Sequence, residues 1–354
     1  MASKANRPEQ GFEPDRFPGA PHAREQAALI GHAEAEQAFL DGFASGRLHH
    51  AWLIGGAEGI GKATLAYRVG RYLLARGPQS TGSLAVPAEE PAARQVASLS
   101  HPNLVALRRV PPGEGKPASA TIAVDHVRKA LQLFQSTSAD GGYRVCIVDS
   151  AEDLTIASAN ALLKALEEPP PRSLFLIVSH APQRLLPTIR SRCRRLSLRA
   201  LNERDLRAVL ATLGEPWSAA EETLVAAAID LGDGSVRRTL EMLDAETIGV
   251  AEEVRRLLTG LPELDLRRVM TLVDTVTRRG AEGSYNLALD LVERWASERL
   301  RRDAGRGAAR LAPLAEVCEK LKQAARSADT YNLDRRPVLI SALGDLAKAV
   351  ERAA

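Results

Sequence analysis

The stretch Ala51-Trp52-Leu53-Ile54-Gly55-Gly56-Ala57-Glu58-Gly59-Ile60-Gly61-Lys62-Ala63-Thr64 decides how the rest of the chain is read. Ala51–Gly55 is a short apolar run of strand type. From Thr64 to Arg76, Leu65, Val69, Tyr72 and Leu73 recur on one helical face. Between strand and helix lies G-x-x-x-x-G-K. Its glycines let successive backbone N–H groups turn inward around a phosphate, and the helix N-terminus adds its dipole. Lys62 supplies a point charge for β- and γ-phosphates. Gly56, Gly59, Gly61, Lys62 and Thr64 are therefore the candidate nucleotide-binding residues of the loop.

Two positions depart from a working pattern. The motif asks for Ser or Thr after the lysine, because that hydroxyl ligates Mg²⁺. Here the residue is Ala63, and Thr64 lies about 100° further round the helix. The apolar strand Val145-Cys146-Ile147-Val148 ends in Asp149, the residue type that anchors Mg²⁺ from a second strand. The residue after it is Ser150, where a water-polarising glutamate would stand, and Glu152 is expected to point elsewhere. Losing help of that kind costs about 10²–10⁴-fold in rate. A vestigial site is expected, with ATP and Mg²⁺ the cofactors in question.

Outward from the loop, helix and strand patterns alternate. A helix is read over 33–45, strands over 103–107, 143–148, 173–179 and 195–198, and helices over 125–135, 156–168 and 187–192. Continuous apolar strands between helices imply a parallel sheet covered on both faces. The Gly/Pro/Ser/Ala-rich stretch 77–100 reads as an insertion or long connection. After residue 200 only helical patterns remain. The expected organisation is a loose, disordered arm over 1–20, a phosphate-loop α/β core over 21–200, a small helical lid over 201–248 and an all-helical domain over 249–354. In the last, Leu266, Val269, Met270 and Val273 form one helical stripe, and Leu339, Leu343 and Leu346 another.

The composition agrees with this and narrows the class. The 354 residues are 45% hydrophobic but only 4% aromatic, as in a helix-rich chain. A formal charge of +3 excludes a generally basic nucleic-acid coat. Cys146, Cys193 and Cys318 are too few and too dispersed for a four-cysteine zinc site or a disulfide framework. With neither a signal peptide nor a membrane-length apolar run, the expected compartment is the cytoplasm.

Two further stretches carry a resemblance. Ala159-Asn160-Ala161-Leu162-Leu163-Lys164-Ala165-Leu166-Glu167-Glu168-Pro169-Pro170, followed by Leu185-Leu186-Pro187-Thr188-Ile189-Arg190-Ser191-Arg192-Cys193, resembles the bacterial clamp-loader subunits of DNA polymerase III, a family of AAA+ proteins. Arg47-Leu48-His49-His50-Ala51-Trp52-Leu53 and His101-Pro102-Asn103 also fit. The resemblance covers about residues 25–240. Ala63 and Ser150 with a retained Ser191-Arg192-Cys193 are similar to the delta-prime type rather than the gamma/tau motor type. The four-cysteine zinc module of many relatives is absent, so no zinc is expected.

The resemblance implies a non-motor subunit in a ring with delta and gamma/tau subunits. That ring would open the sliding clamp and place it on primed DNA during replication. It implies that Arg192 completes a neighbour's ATP site, where an arginine finger is worth about 10³–10⁵ in rate. It assigns nucleotide-sensing positions to Ser179 and Arg237. The helical stripes after residue 249 are expected to form an oligomerisation collar as well as their own core. A solvated basic edge around Arg190, Arg192, Arg194 and Arg195 is the plainer reading of that segment. A gamma/tau-type ATPase is the alternative function, and a small-molecule kinase a third. A thiol enzyme has little to recommend it: arginines beside Cys193 lower a thiol pKa in principle, but no orienting partner is evident.

Overall fold

The computed structural model describes residue 13 and residues 15–75, 82–109, 119, 121–135, 142–278, 281–303, 308–331 and 333–353. It divides into two compact units, one of residues up to 219 with 232–239, the other of 220–231 with 240 onward.

The first unit is built on five strands: β1 (Ala51–Gly55), β2 (Leu104–Arg108), β3 (Arg144–Asp149), β4 (Ser173–Ser179) and β5 (Arg194–Ser197). Their order is β2-β3-β4-β1-β5 and every pairing is parallel. The three inner strands are the near-continuously apolar ones, as burial on both faces demands. Successive side chains point to opposite faces, and the core divides accordingly. Trp52, Ile54, Val145, Ile147, Leu174 and Leu176 face one cluster, under α1 (Ala33–Ala44), α2 (Lys62–Leu74) and α3 (Pro91–Ala97). Leu53, Cys146, Val148, Phe175 and Ile177 face the other, under α4 (Val124–Gln135), α5 (Ile156–Glu167) and α6 (Pro187–Arg192). This is the α/β core with a parallel sheet, covered by helices on both faces, that the sequence pattern implies.

Two segments differ from expectation. Within 77–100, which reads as an insertion or long connection, the chain forms α3 with Pro91 in its first turn, and Leu84, Ala92 and Val96 enter the core. Proline fixes φ without wasting a needed donor at that position. Residues 76–81 lie outside the described residues. Of the arm expected over 1–20, residues 1–12 and 14 are likewise outside. The remainder is anchored rather than loose. Glu13 pairs with Arg24 at 2.9 Å and Arg108 at 2.8 Å, and Asp15 pairs with Arg108 at 2.9 Å and His22 at 3.2 Å. Burial pushes the Asp15 carboxyl up, but the His22 hydrogen bond and the Arg108 charge hold it down at about 2. The first unit also contains α7 (Glu203–Thr212) and the start of α9 (Val236–Glu241).

The second unit is helical: α8 (Glu222–Gly232), α10 (Ala245–Thr259), α11 (Leu266–Val276), α12 (Glu282–Arg302), α13 (Ala308–Tyr331) and α14 (Arg336–Ala353). Asp244 and Asp265 cap α10 and α11, each side chain accepting from two backbone N–H groups of the first turn. Leu339, Leu343 and Leu346 are fully buried, as their spacing predicts. The other stripe is shifted. On α11 the buried residues are Val269, Leu272, Val273 and Val276, while Leu266 and Met270 are exposed. Among the described residues no helix is long and apolar enough to cross a membrane.

Candidate functional site

The C-terminal ends of β1, β3 and β4 converge at the phosphate loop. Gly55, at the end of β1, lies in register with Ser179, at the end of β4. Gly56, Gly59 and Gly61 have φ values of +144°, +74° and +102°, a region closed to most side chains. At Gly59 the need is also steric, since a Cβ there would come within 2.5 Å of both Arg237 Cβ and Ser235 Oγ. The loop therefore carries the turn that its sequence specifies, with α2 beginning at Lys62 directly behind it.

Lys62 is buried, and its ammonium donates to the carbonyl of Ala57 within its own loop. Burial pulls its pKa down to about 8, against the opposing attraction of Glu58, Glu152 and Asp149. Asp149 closes β3. Burial and the nearby Asp15 charge push its carboxyl up to about 6, with His22 and Lys62 pulling the other way. Thr64 is half-buried on the first turn of α2, and Ala63 packs its methyl against the core. The loop and Lys62 thus have the backbone form and charge to fit a phosphate, and Asp149 is a carboxylate at the end of β3.

Glu152 does not point away as expected. The chain after β3 makes a short 3₁₀ turn, Ala151–Asp153, which returns the side chain toward the sheet. Its carboxylate accepts from Ser150 Oγ at 2.6 Å, from the Ala181 N–H at 2.8 Å and from Ser179 Oγ, with His180 Nδ1 at 3.3 Å. Burial alone would raise its pKa, but the Ser150 and Ser179 hydrogen bonds outweigh this and leave it lowered. Ser179 is fully buried and committed to this contact.

Arg237, in the first turn of α9, stands over the loop, with its Nε 3.7 Å from Glu58 Oε1. The approach is fixed by backbone: the Val236 N–H donates to Gly59 O at 2.9 Å, and Ser235 Oγ to Glu58 O at 2.8 Å. On the opposite side His32 Nε2 lies 2.7 Å from Ile60 O. Neither His32 nor Ser235 carries a sequence signal, because each acts on the loop's backbone from a distant segment.

Arg192 lies elsewhere, at the end of α6, where the chain turns into the edge strand β5. Its guanidinium is half-exposed, 2.7 Å from Glu167 Oε1, and donates to Thr188 O at 3.0 Å. Arg194 and Arg195 are exposed beside it, and Arg194 stacks over Trp52 at 4.5 Å. The flanking arginines do not activate Cys193: burial pushes its thiol up to about 12.

The family described as DNA polymerase III, delta subunit, matches residues 31–202, from just before α1 to just beyond β5. The delta' subunit of DNA polymerase III from Pseudomonas aeruginosa is 39% identical over 144 residues, 41% of this chain and 41% of that protein. That of Escherichia coli is 39% identical over 152 residues, 43% of each.

Over the matched residues the chain is delta-prime-like.

The delta-prime-like chain spans about two fifths of the length of these curated relatives. It is also similar to the tau subunit of Escherichia coli DNA polymerase III, 30% identical over 275 residues, 72% of this chain and 41% of that protein. Among solved structures, a gamma subunit-related protein of Thermotoga maritima aligns over 86% of this chain and 95% of its own, at 19% identity and a TM-score of 0.37. The Holliday junction branch migration motor RuvB of the same organism aligns over 89% and 88%, at 18% identity and a TM-score of 0.40.

Proposed function

We propose that this chain is a non-motor subunit of the DNA polymerase III clamp loader. It supports ATP-driven loading of the sliding clamp on primed DNA, in a cytoplasmic ring with delta and gamma/tau subunits. Its own loop is a vestigial nucleotide site with no zinc and no Mg²⁺ of its own. Arg192 acts in trans, placing its planar fork of donors on the phosphates of ATP held by a neighbour. The segment 201–248 serves as the lid, and the helices from 249 onward form the collar that holds the ring together.

The observation that carries this reading is the pairing of two features in one chain. Arg192 carries a half-exposed guanidinium at the end of α6, paired with Glu167 just before the edge strand β5. The chain's own loop has Ala63 in place of the Mg²⁺-ligating hydroxyl and Ser150 in place of the water-polarising carboxylate. An outward-facing cation remains useful to a partner when the home site has lost its catalytic groups. The second reading, a gamma/tau-type motor, has one observation in its favour: the tau relatives align over 72% of this chain, against 41–43% for the delta-prime relatives. Steady-state ATP hydrolysis by the purified chain separates the two. The proposal expects turnover at background; about 1 s⁻¹ or faster, typical of working enzymes, makes the chain a motor.

A further inference from the structure

We propose that Glu152 is a built-in stand-in for the terminal phosphate of a nucleotide, so that the loop Gly56–Lys62 accepts a nucleoside diphosphate and rejects a triphosphate. The inference deepens the vestigial-site part of the proposed function. It rests on the phosphate loop and not on Arg192, so its failure leaves the trans-acting role standing.

Three observations lead there. First, the place is right. Ser179 is in register with Gly55, the residue from which the loop springs, and its hydroxyl donates to Glu152. A hydroxyl has one proton to give, so the donor beside the start of the loop is already taken by an anion. The Ala181 N–H, next to it, is taken by the same carboxylate oxygen.

Second, the charge is right. Lys62 is the residue that meets β- and γ-phosphates in such loops, and it lies in the field of both Glu152 and Asp149. A γ-phosphate would add charge beside these two carboxylates. Relief would come from Mg²⁺, but Ala63 gives it no hydroxyl ligand. A diphosphate ends one phosphate earlier and avoids that crowding. The loop's backbone N–H groups and the N-terminus of α2, which recognise phosphate without side chains, are not contacted by Glu152.

Third, the carboxylate is built in rather than resting there. Donors from Ser150, Ser179 and Ala181 converge on it at the end of two strands, and the 3₁₀ turn Ala151–Asp153 fixes its direction. An incoming γ-phosphate would have to displace all of these bonds together.

The test is direct titration of the full-length chain with ADP and with ATP, each with and without Mg²⁺, for the wild type and for Glu152→Gln. Glutamine keeps the size and removes the charge. The expected result is that wild type binds ADP at least tenfold tighter than ATP. Glu152→Gln should tighten ATP by tenfold or more while changing ADP by less than threefold. Equal affinities for the two nucleotides in wild type would overturn the proposal, as would an unchanged ratio in a variant whose thermal midpoint shows it folded. Absence of binding by both nucleotides to both proteins at millimolar concentration would overturn it too. Should Glu152→Gln fold poorly, the wild-type ratio alone decides.

Discussion

Replacing Asp149 by Asn should stabilise the first unit, and the gain should grow with pH. Asp149 closes β3 among Asp15, Asp153, His22 and Lys62, in register with Arg108 of β2. Burial, with the Asp15 charge adding to it, lifts its carboxyl from 3.8 to about 6. A carboxyl whose folded pKa is raised binds more protons folded than unfolded between those two values. Stability therefore falls as pH rises from about 4 to 6, and the full cost is present above that window. A rise of roughly two units corresponds to about 3 kcal/mol. Asn removes the charge and keeps the shape, so the gain should approach about 3 kcal/mol at pH 8 and vanish near pH 4. Asp15, held at about 2, works in the opposite sense: its contribution is lost only as pH falls from about 4 toward 2. Comparing wild type and variant at each pH largely removes that background. Urea unfolding followed by the fluorescence of Trp52, with Trp217 and Trp295 replaced by Phe, reads the unit that contains Asp149. At an m-value of about 2–3 kcal/mol per molar, the midpoint should rise by about 1 M at pH 8. A gain that is the same at pH 4 and pH 8, or a loss at pH 8, would refute the reasoning.

Other substitutions probe the loop and the helical unit. Gly59→Ala places a Cβ on Arg237 and Ser235 at φ +74°, so it should cost about 1–3 kcal/mol and increase hydrogen exchange at the Val236 N–H, which now bonds Gly59 O. In α11, Leu272→Ala should cost about 2–5 kcal/mol in thermal unfolding of the second unit, while Leu266→Ala should change it by less than about 0.5 kcal/mol, because the first is buried and the second exposed.

What was legible in the sequence follows from what each signal depends on. β1 and β4 were read at their observed limits because a strand buried on both faces must be apolar throughout, and that leaves a continuous run. The loop was legible because its glycines are dictated by backbone geometry within a few residues. Helix α3 was not, because its short amphipathic pattern lies in a Pro/Ala-rich stretch that looks like linker. The pairing of Glu13 and Asp15 with Arg24 and Arg108 spans up to 95 residues, and no local pattern encodes it. The direction of Glu152 is not legible because it depends on a single 3₁₀ turn, which the run Ser150-Ala151-Glu152-Asp153 does not announce. On α11 the periodicity was right and the phase was off: Leu266 and Met270 share a helical face with each other, but the core is met by Val269, Leu272 and Val273.

On the proposed function, this chain gives an arginine to a neighbour and does not hydrolyse ATP at its own site. The most direct measurement is ATP hydrolysis by the assembled ring containing Arg192→Ala, set beside the ring containing Lys62→Ala in the same subunit. The account predicts that Arg192→Ala lowers hydrolysis with assembly intact, and that Arg192→Lys rescues poorly, since an ammonium lacks the bidentate fork. It also predicts that Lys62→Ala matters much less. The loss from Arg192→Ala should be partial if other ATP sites of the proposed ring draw their arginines from other chains. The reverse ranking, with Lys62 essential and Arg192 dispensable, would contradict the account and make this chain a motor.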